Sequence, residues 1–291
     1  MTRDELVAKL DEYFWIADVS NDASWGETYD FVGGPYWREY AEPTWVGRWN
    51  GLMVRGGEAV ERVATCVFPS AEIVDGLEPR TFLFSEHPVA LEDDVVGFEP
   101  LPRSTFETLR EREISFYHAH APLDHHPDVS PSRLCARGLG IEELDEYFPI
   151  ADGIPGGAAV IGPSGETVEG LRDRLASFLG EGIPVEIVRS PRDRAGRVAV
   201  AGGGGADRRL LEESLERGCE TFVTGNAATR CRIGFVQDGV RAFLELADEE
   251  GVAVIDGTHY GTEIPPQLAM AEWFRALGLE AVFVPGRPER G

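Results

Sequence analysis

Apolar positions along this chain recur with two alternating periods. Over residues 3–14, Leu6, Val7, Leu10 and Phe14 share one helical face, behind Asp4 and Glu5 in a first turn. Residues 20–46 are rich in aromatics, Gly and Pro without a period and read as a long ordered loop. Beyond them short apolar runs predict strands at 62–68, 81–84 and 114–121, with a short helix at 71–75. Ser104 and Glu107 form a capping-box pattern for a helix through Arg112, and Ser130 followed by Pro131 opens another. In the second half, helices at 168–179, 210–217, 240–250 and 268–277 interleave with strands at 184–188, 197–201, 221–224, 252–255 and 281–284. This βαβα rhythm predicts an α/β protein of two lobes, 1–150 and 151–291, with mostly parallel sheets flanked by helices. The βαβ stretch from residue 62 to 83 echoes that from 197 to 223, either as a duplication or as two units of one common type.

The chain's 291 residues, 43% of them hydrophobic, suffice for such lobes. No run of about 18 apolar residues occurs, and the first residues lack a basic, then apolar, leader. The expectation is a cytoplasmic protein with no membrane span. Cys66, Cys135, Cys219 and Cys231 form no CxxC pair and read as reduced, mostly buried hydrophobes. The formal net charge is −24, and Lys9 is the only lysine. The acids are spread along the chain, a pattern resembling proteins of salt-loving microbes, where salt screens self-repulsion. A phosphate-rich polymer is a poor partner for such a surface, so nucleic acid is not expected.

Candidate chemistry sits where strands end. Glu86 and His87 follow the strand at 81–84, His118, His120 and Asp124 follow the one at 114–121, and His259 and Glu263 follow Val252-Ala253-Val254-Ile255. Ligands of open α/β sheets bind beyond the carboxyl ends of strands. Three such ends meeting would make a metal site of nitrogen and oxygen donors. His118 reads equally as a ligand, a surface residue or a residue supporting the ligands from behind, and His125-His126 as an exposed loop pair within reach of the site. Because Pro265 and Pro266 follow, a helix across His259–Glu263 is not expected; the pair reads as a turn whose carboxylate can bridge two cations. Gly202-Gly203-Gly204-Gly205 between strand and helix is either an anion cradle or a tight packing turn; it fits neither GxGxxG nor a Walker A loop. No GxSxG serine elbow is present.

Taken in order, Asn50-Gly51-Leu52-Met53-Val54, Glu86-His87-Pro88, His120-Ala121-Pro122-Leu123-Asp124, the glycine turn with Thr224-Gly225-Asn226, and His259-Tyr260-Gly261-Thr262-Glu263 resemble the NIF-three-like family. Its members carry the labels GTP cyclohydrolase I type 2 homologue and dinuclear-metal-centre hexameric protein. The resemblance implies two divalent cations, zinc, manganese or iron, in a cleft between the lobes. His87, Asp124 and Glu263 would hold one; Glu86, His259 and the shared Glu263 the other. Glu86 stands where the family has histidine, which favours harder cations. A homohexamer is also implied. The expected function is a metal-dependent hydrolase of a small nucleotide-like or phosphorylated substrate, acting through a metal-bridging water, with His120 moving protons or orienting Asp124. The alternatives are a non-catalytic metal-binding scaffold or regulator and, third, a nucleotide-binding module.

Overall fold

A computed structural model describes residues 1–19, 35–93, 97–228 and 234–286. Its strands run, in chain order, β1 (Gly51–Val54), β2 (Arg62–Cys66), β3 (Phe82–Ser85), β4 (Ala90–Asp93), β5 (Gly97–Glu99) and β6 (Ser115–His118). They continue as β7 (Asp145–Tyr147), β8 (Ala159–Thr167), β9 (Glu186–Arg189), β10 (Arg194–Ala201), β11 (Thr221–Thr224), β12 (Ala253–Asp256) and β13 (Glu280–Phe283). Two mixed sheets result, ordered β1-β6-β3-β2-β13 and β7-β8-β10-β11-β12-β9, plus the β4–β5 pair. The chain divides into two compact units: residues 1–92, 98–123 and 267–287, and residues 93–97, 124–266 and 288–291.

In the first unit β6, β3, β2 and β13 are parallel neighbours, and β1 closes the sheet antiparallel to β6. Alternation along β3 distributes the core. Leu83 faces a cluster with Trp37, Trp45, Met53 and Phe106. Phe82 and Phe84 face Phe274 of the helix His259–Ala276, at centroid distances of 6.4 and 5.7 Å. Residues 35–46, expected as loop, hold a 3-10 turn, Pro35–Glu39, and the start of a helix, Pro43–Arg48. The remainder of that loop, 20–34, lies outside the described residues.

In the second unit β10, β11 and β12 are parallel and central. Val198, Val200, Val223 and Ile255 pack on one face, against helices Pro131–Gly138 and Val168–Leu179. Ala199, Phe222 and Val254 pack on the other, against helices Arg208–Glu216 and Gly234–Glu250. Burial on both faces is why these strands read as unbroken apolar runs. Strand β8 escaped the pattern because Gly162 and Pro163 interrupt it. It pairs antiparallel with β10, while β7 meets only Ala159, Val160 and Ile161, so Pro163 lies on an edge where a missing N–H is tolerated.

Two helix starts invite comparison with their sequence patterns. Ser130 accepts from the Arg133 N–H with Pro131 at the first position, as its pattern predicts. The Ser104–Glu107 capping box is not used: that helix begins at Arg103 behind Pro102, with no side-chain cap. No helix among the described residues is long and apolar enough to cross a membrane.

Candidate metal centre

The first unit presents Glu86, His87 and His120 at strand ends. Glu86 continues the Phe82–Phe84 side of β3, toward the helix that carries Phe274. There the side-chain Nε2 of Gln267 donates to Glu86 Oε2 at 3.1 Å. His87 takes the other side, stacked on Phe68 at a 4.2 Å centroid distance and 9°. Both are fully buried. The His120 ring lies 4.9 Å from that of His87, and its backbone N–H donates to Asn50 Oδ1 at 2.8 Å. Asn50 itself is buried, and Gly51, at φ +99°, turns the chain into β1 directly after it. His118, the last residue of β6, is buried with its ring edge-on to Trp45 at 5.5 Å.

The second unit presents Asp124, His259 and Glu263. Asp124 ends the single helical turn Ala121–Asp124 and is half-buried. His259 and Glu263 belong to the first turns of the helix His259–Ala276, not to an irregular turn. Pro265 and Pro266 lie inside this helix. Pro266 cannot donate to the Thr262 carbonyl four residues back. The Cys135 thiol does so instead, with Sγ at 3.5 Å. Burial, and secondarily the Glu263 carboxylate, push that thiol's pKa up to about 12, so it stays a donor. Four-residue helical spacing then brings His259 Nε2 and Glu263 Oε1 to 2.8 Å, with Glu263 1% exposed.

The glycine turn forms the bed of this pair. Gly202 N–H donates to Ser132 Oγ, Gly203 N–H to Thr262 Oγ1 at 2.8 Å, and Ala206 N–H to Asn226 Oδ1 at 2.8 Å. Those donors are engaged within the protein, which favours the packing-turn reading over the anion cradle. Gly203 has φ +57°, and a Cβ there would lie 2.1 Å from Glu263 Oε1. Asp256, at the end of β12, accepts from the N–H groups of Thr258 and Ala228. Burial raises its pKa against the opposing pull of those bonds.

The loop pair His125 and His126, expected on the surface, lies deeper. His126 is 2% exposed, and its Nδ1 accepts from the Asp128 N–H at 3.1 Å; His125 is half-buried. Cys66, Cys135 and Cys219 are buried, and burial raises each thiol's pKa, so none is an activated nucleophile. Cys231 lies outside the described residues. Gln267 carries no sequence signal of its own, because it acts through a partner distant in the chain, and the motifs that contain Asn50 and Thr262 do not reveal their contacts to His120 and Gly203.

Fold and side chains together define an α/β protein whose two mixed sheets carry buried imidazole and carboxylate donors just past strand ends. Residues 38–288 match Duf34/NIF3 (NGG1p interacting factor 3), and the chain belongs to this family. A Pyrococcus abyssi protein named GTP cyclohydrolase 1 type 2 homolog is 28% identical over 292 residues, covering 98% of each chain. A protein of the same name from Archaeoglobus fulgidus is 27% identical over 240 residues, 81% of this chain and 88% of that one. Among solved structures, protein ybgI, described as of unknown function, superposes with a TM-score of 0.70 at 21% identity over the whole of both chains. A Thermus thermophilus protein, TTHA1606, does so at 0.62 and 24% over 99% of each. These two likenesses are of fold.

Proposed function

We propose that this protein binds two divalent cations and hydrolyses a small substrate, nucleotide-like or phosphorylated, in the cytoplasm. The observation that supports it most is the His259–Glu263 pair, 2.8 Å apart at a helix start, with the Glu263 carboxylate buried against the glycine turn. Imidazole and carboxylate are the donors that zinc, manganese and iron accept. We group the ligands as His87 with His259 and Glu263, and Glu86 with Asp124 and Glu263. Relative to the family pattern this exchanges His259 and Asp124 and keeps Glu263 as the shared ligand. One set then offers two nitrogens and an oxygen, and the other offers oxygens alone. A dinuclear centre supplies a nucleophilic water near neutral pH and polarises the bond it attacks. His120, ring to ring with His87, is placed to accept or return a proton, and Asn50 fixes its backbone.

Metal per chain, measured after dialysis in wild type, Asp124→Ala and His259→Ala, tests this reading. About two ions falling to one or none in the variants is expected; unchanged content in both sinks it. Turnover of a phosphoester, cyclic amide and nucleotide panel by the metal-loaded protein separates the hydrolase from a scaffold, which turns over none of them.

We also propose a homohexamer, with the charge of −24 as an adaptation to salt. Sedimentation velocity should show about six chains together in high salt; a monomer at every ionic strength overturns the assembly.

A further inference from the structure

Gln267 is fully buried on the face of the helix His259–Ala276 that also carries Met270, Ala271 and Phe274. Such a face packs on a sheet and is ordinarily apolar throughout. An amide there loses water on both ends. Its Nε2 recovers a partner in Glu86 Oε2, at 3.1 Å, while its Oε1 takes no hydrogen bond from the described residues. The orientation follows from chemistry, because a carboxylate accepts only and must meet the nitrogen end. The Gln267 main chain is pinned separately: Thr65 Oγ1, on β2, donates to its backbone carbonyl at 2.9 Å. Thr65 and Glu86 belong to neighbouring parallel strands or their ends, so Gln267 is fixed to both at once.

Leucine or methionine would fill this position without leaving an amide oxygen unsatisfied. What the glutamine adds is one charge-assisted bond to one carboxylate oxygen, and that bond fixes the carboxylate plane. We propose that Gln267 is a positioning residue, which orients Glu86 as an oxygen ligand and thereby makes the Glu86–Asp124–Glu263 set selective for a hard divalent cation such as Mn2+. The assignment rests on the metal-centre reading above. It also accounts for the residue at 86. A histidine there would need an acceptor behind its second ring nitrogen, whereas a glutamate needs a donor behind its carboxylate, and the Gln267 amide nitrogen is that donor.

The test is a double-mutant cycle with Gln267→Met and Glu86→His, read by equilibrium dialysis with Mn2+ and with Zn2+, and by thermal unfolding of the metal-free proteins. In the wild-type background Gln267→Met is expected to weaken one of two Mn2+ sites about tenfold or more, the usual effect of losing a ligand's supporting bond. Zn2+ at the His87-containing set should change less than about threefold. In the Glu86→His background the same substitution should cost less than about twofold, because the bond it removes no longer exists. Equal losses in both backgrounds, or losses that merely follow a lowered unfolding midpoint, make Gln267 structural and overturn the assignment. Unchanged Mn2+ binding by Gln267→Met overturns it while leaving the metal centre standing. Failure of the wild type itself to bind Mn2+ or Zn2+ removes the metal centre instead.

Discussion

Glu263→Gln is expected to empty the protein of metal while leaving it folded. Glutamine keeps the volume of a side chain that is 1% exposed, and its amide oxygen can take the place of Glu263 Oε1, 2.8 Å from His259 Nε2. What disappears is the negative charge and one of two equivalent oxygens. An amide cannot bridge two cations as a carboxylate does. Losing only a supporting bond behind a ligand weakens binding about 10–100-fold, so neutralising the shared ligand should exceed about 100-fold for both ions. Mass spectrometry of dialysed protein reads the metal, and thermal unfolding without metal reads the fold. Full metal content in a folded Glu263→Gln protein removes Glu263 as the shared ligand. With emptied sites, any hydrolytic turnover in the substrate panel should vanish as well.

The prominence of Glu263 is legible in the sequence, but its surroundings are not. Strand ends are readable because β11 and β12 are buried on both faces, so their apolar runs stop abruptly where polar residues begin. That puts His259 just past β12, and the fully buried run of β3 does the same for Glu86. The two prolines after Glu263 mislead a local reading. They forbid two helical hydrogen bonds, and a local rule ends the helix there. The helix runs on through both, and Cys135, more than a hundred residues earlier in the chain, supplies a donor to the Thr262 carbonyl that Pro266 leaves open. No window around residue 265 contains that information. Gln267 is hidden for a similar reason: its partner lies 181 residues away, and a glutamine after two prolines reads as solvated.

The glycines around Glu263 offer the sharper expectation, because Gly203 of the glycine turn and Gly225 beside that turn should fail in opposite ways. At Gly225 an added Cβ would meet Thr262 Oγ1 at 2.5 Å and the backbone oxygens of Gly203 and Thr258 at 2.7 Å each. Two of these three are main-chain atoms, and neither can swing aside. Gly225→Ala must therefore push apart the Gly203 turn and the start of the helix His259–Ala276, an overpacking cost at or above the upper end of about 1–3 kcal/mol. A lowered unfolding midpoint, by about 6–12 °C for a protein of this size, is the expected result in metal-free protein. At Gly203 the neighbour is different: Glu263 Oε1 at 2.1 Å, the far end of a side chain that can move, with His259 Nε2 at 3.4 Å. The left-handed backbone adds only about 1–2 kcal/mol for alanine. Gly203→Ala should thus keep most of its stability and displace the carboxylate, weakening metal binding about 10–100-fold. Calorimetry and equilibrium dialysis on the two variants measure both quantities. If both substitutions lower stability alike and spare metal binding, the turn is only a packing element. The opposite pattern ties its backbone directly to the placement of Glu263.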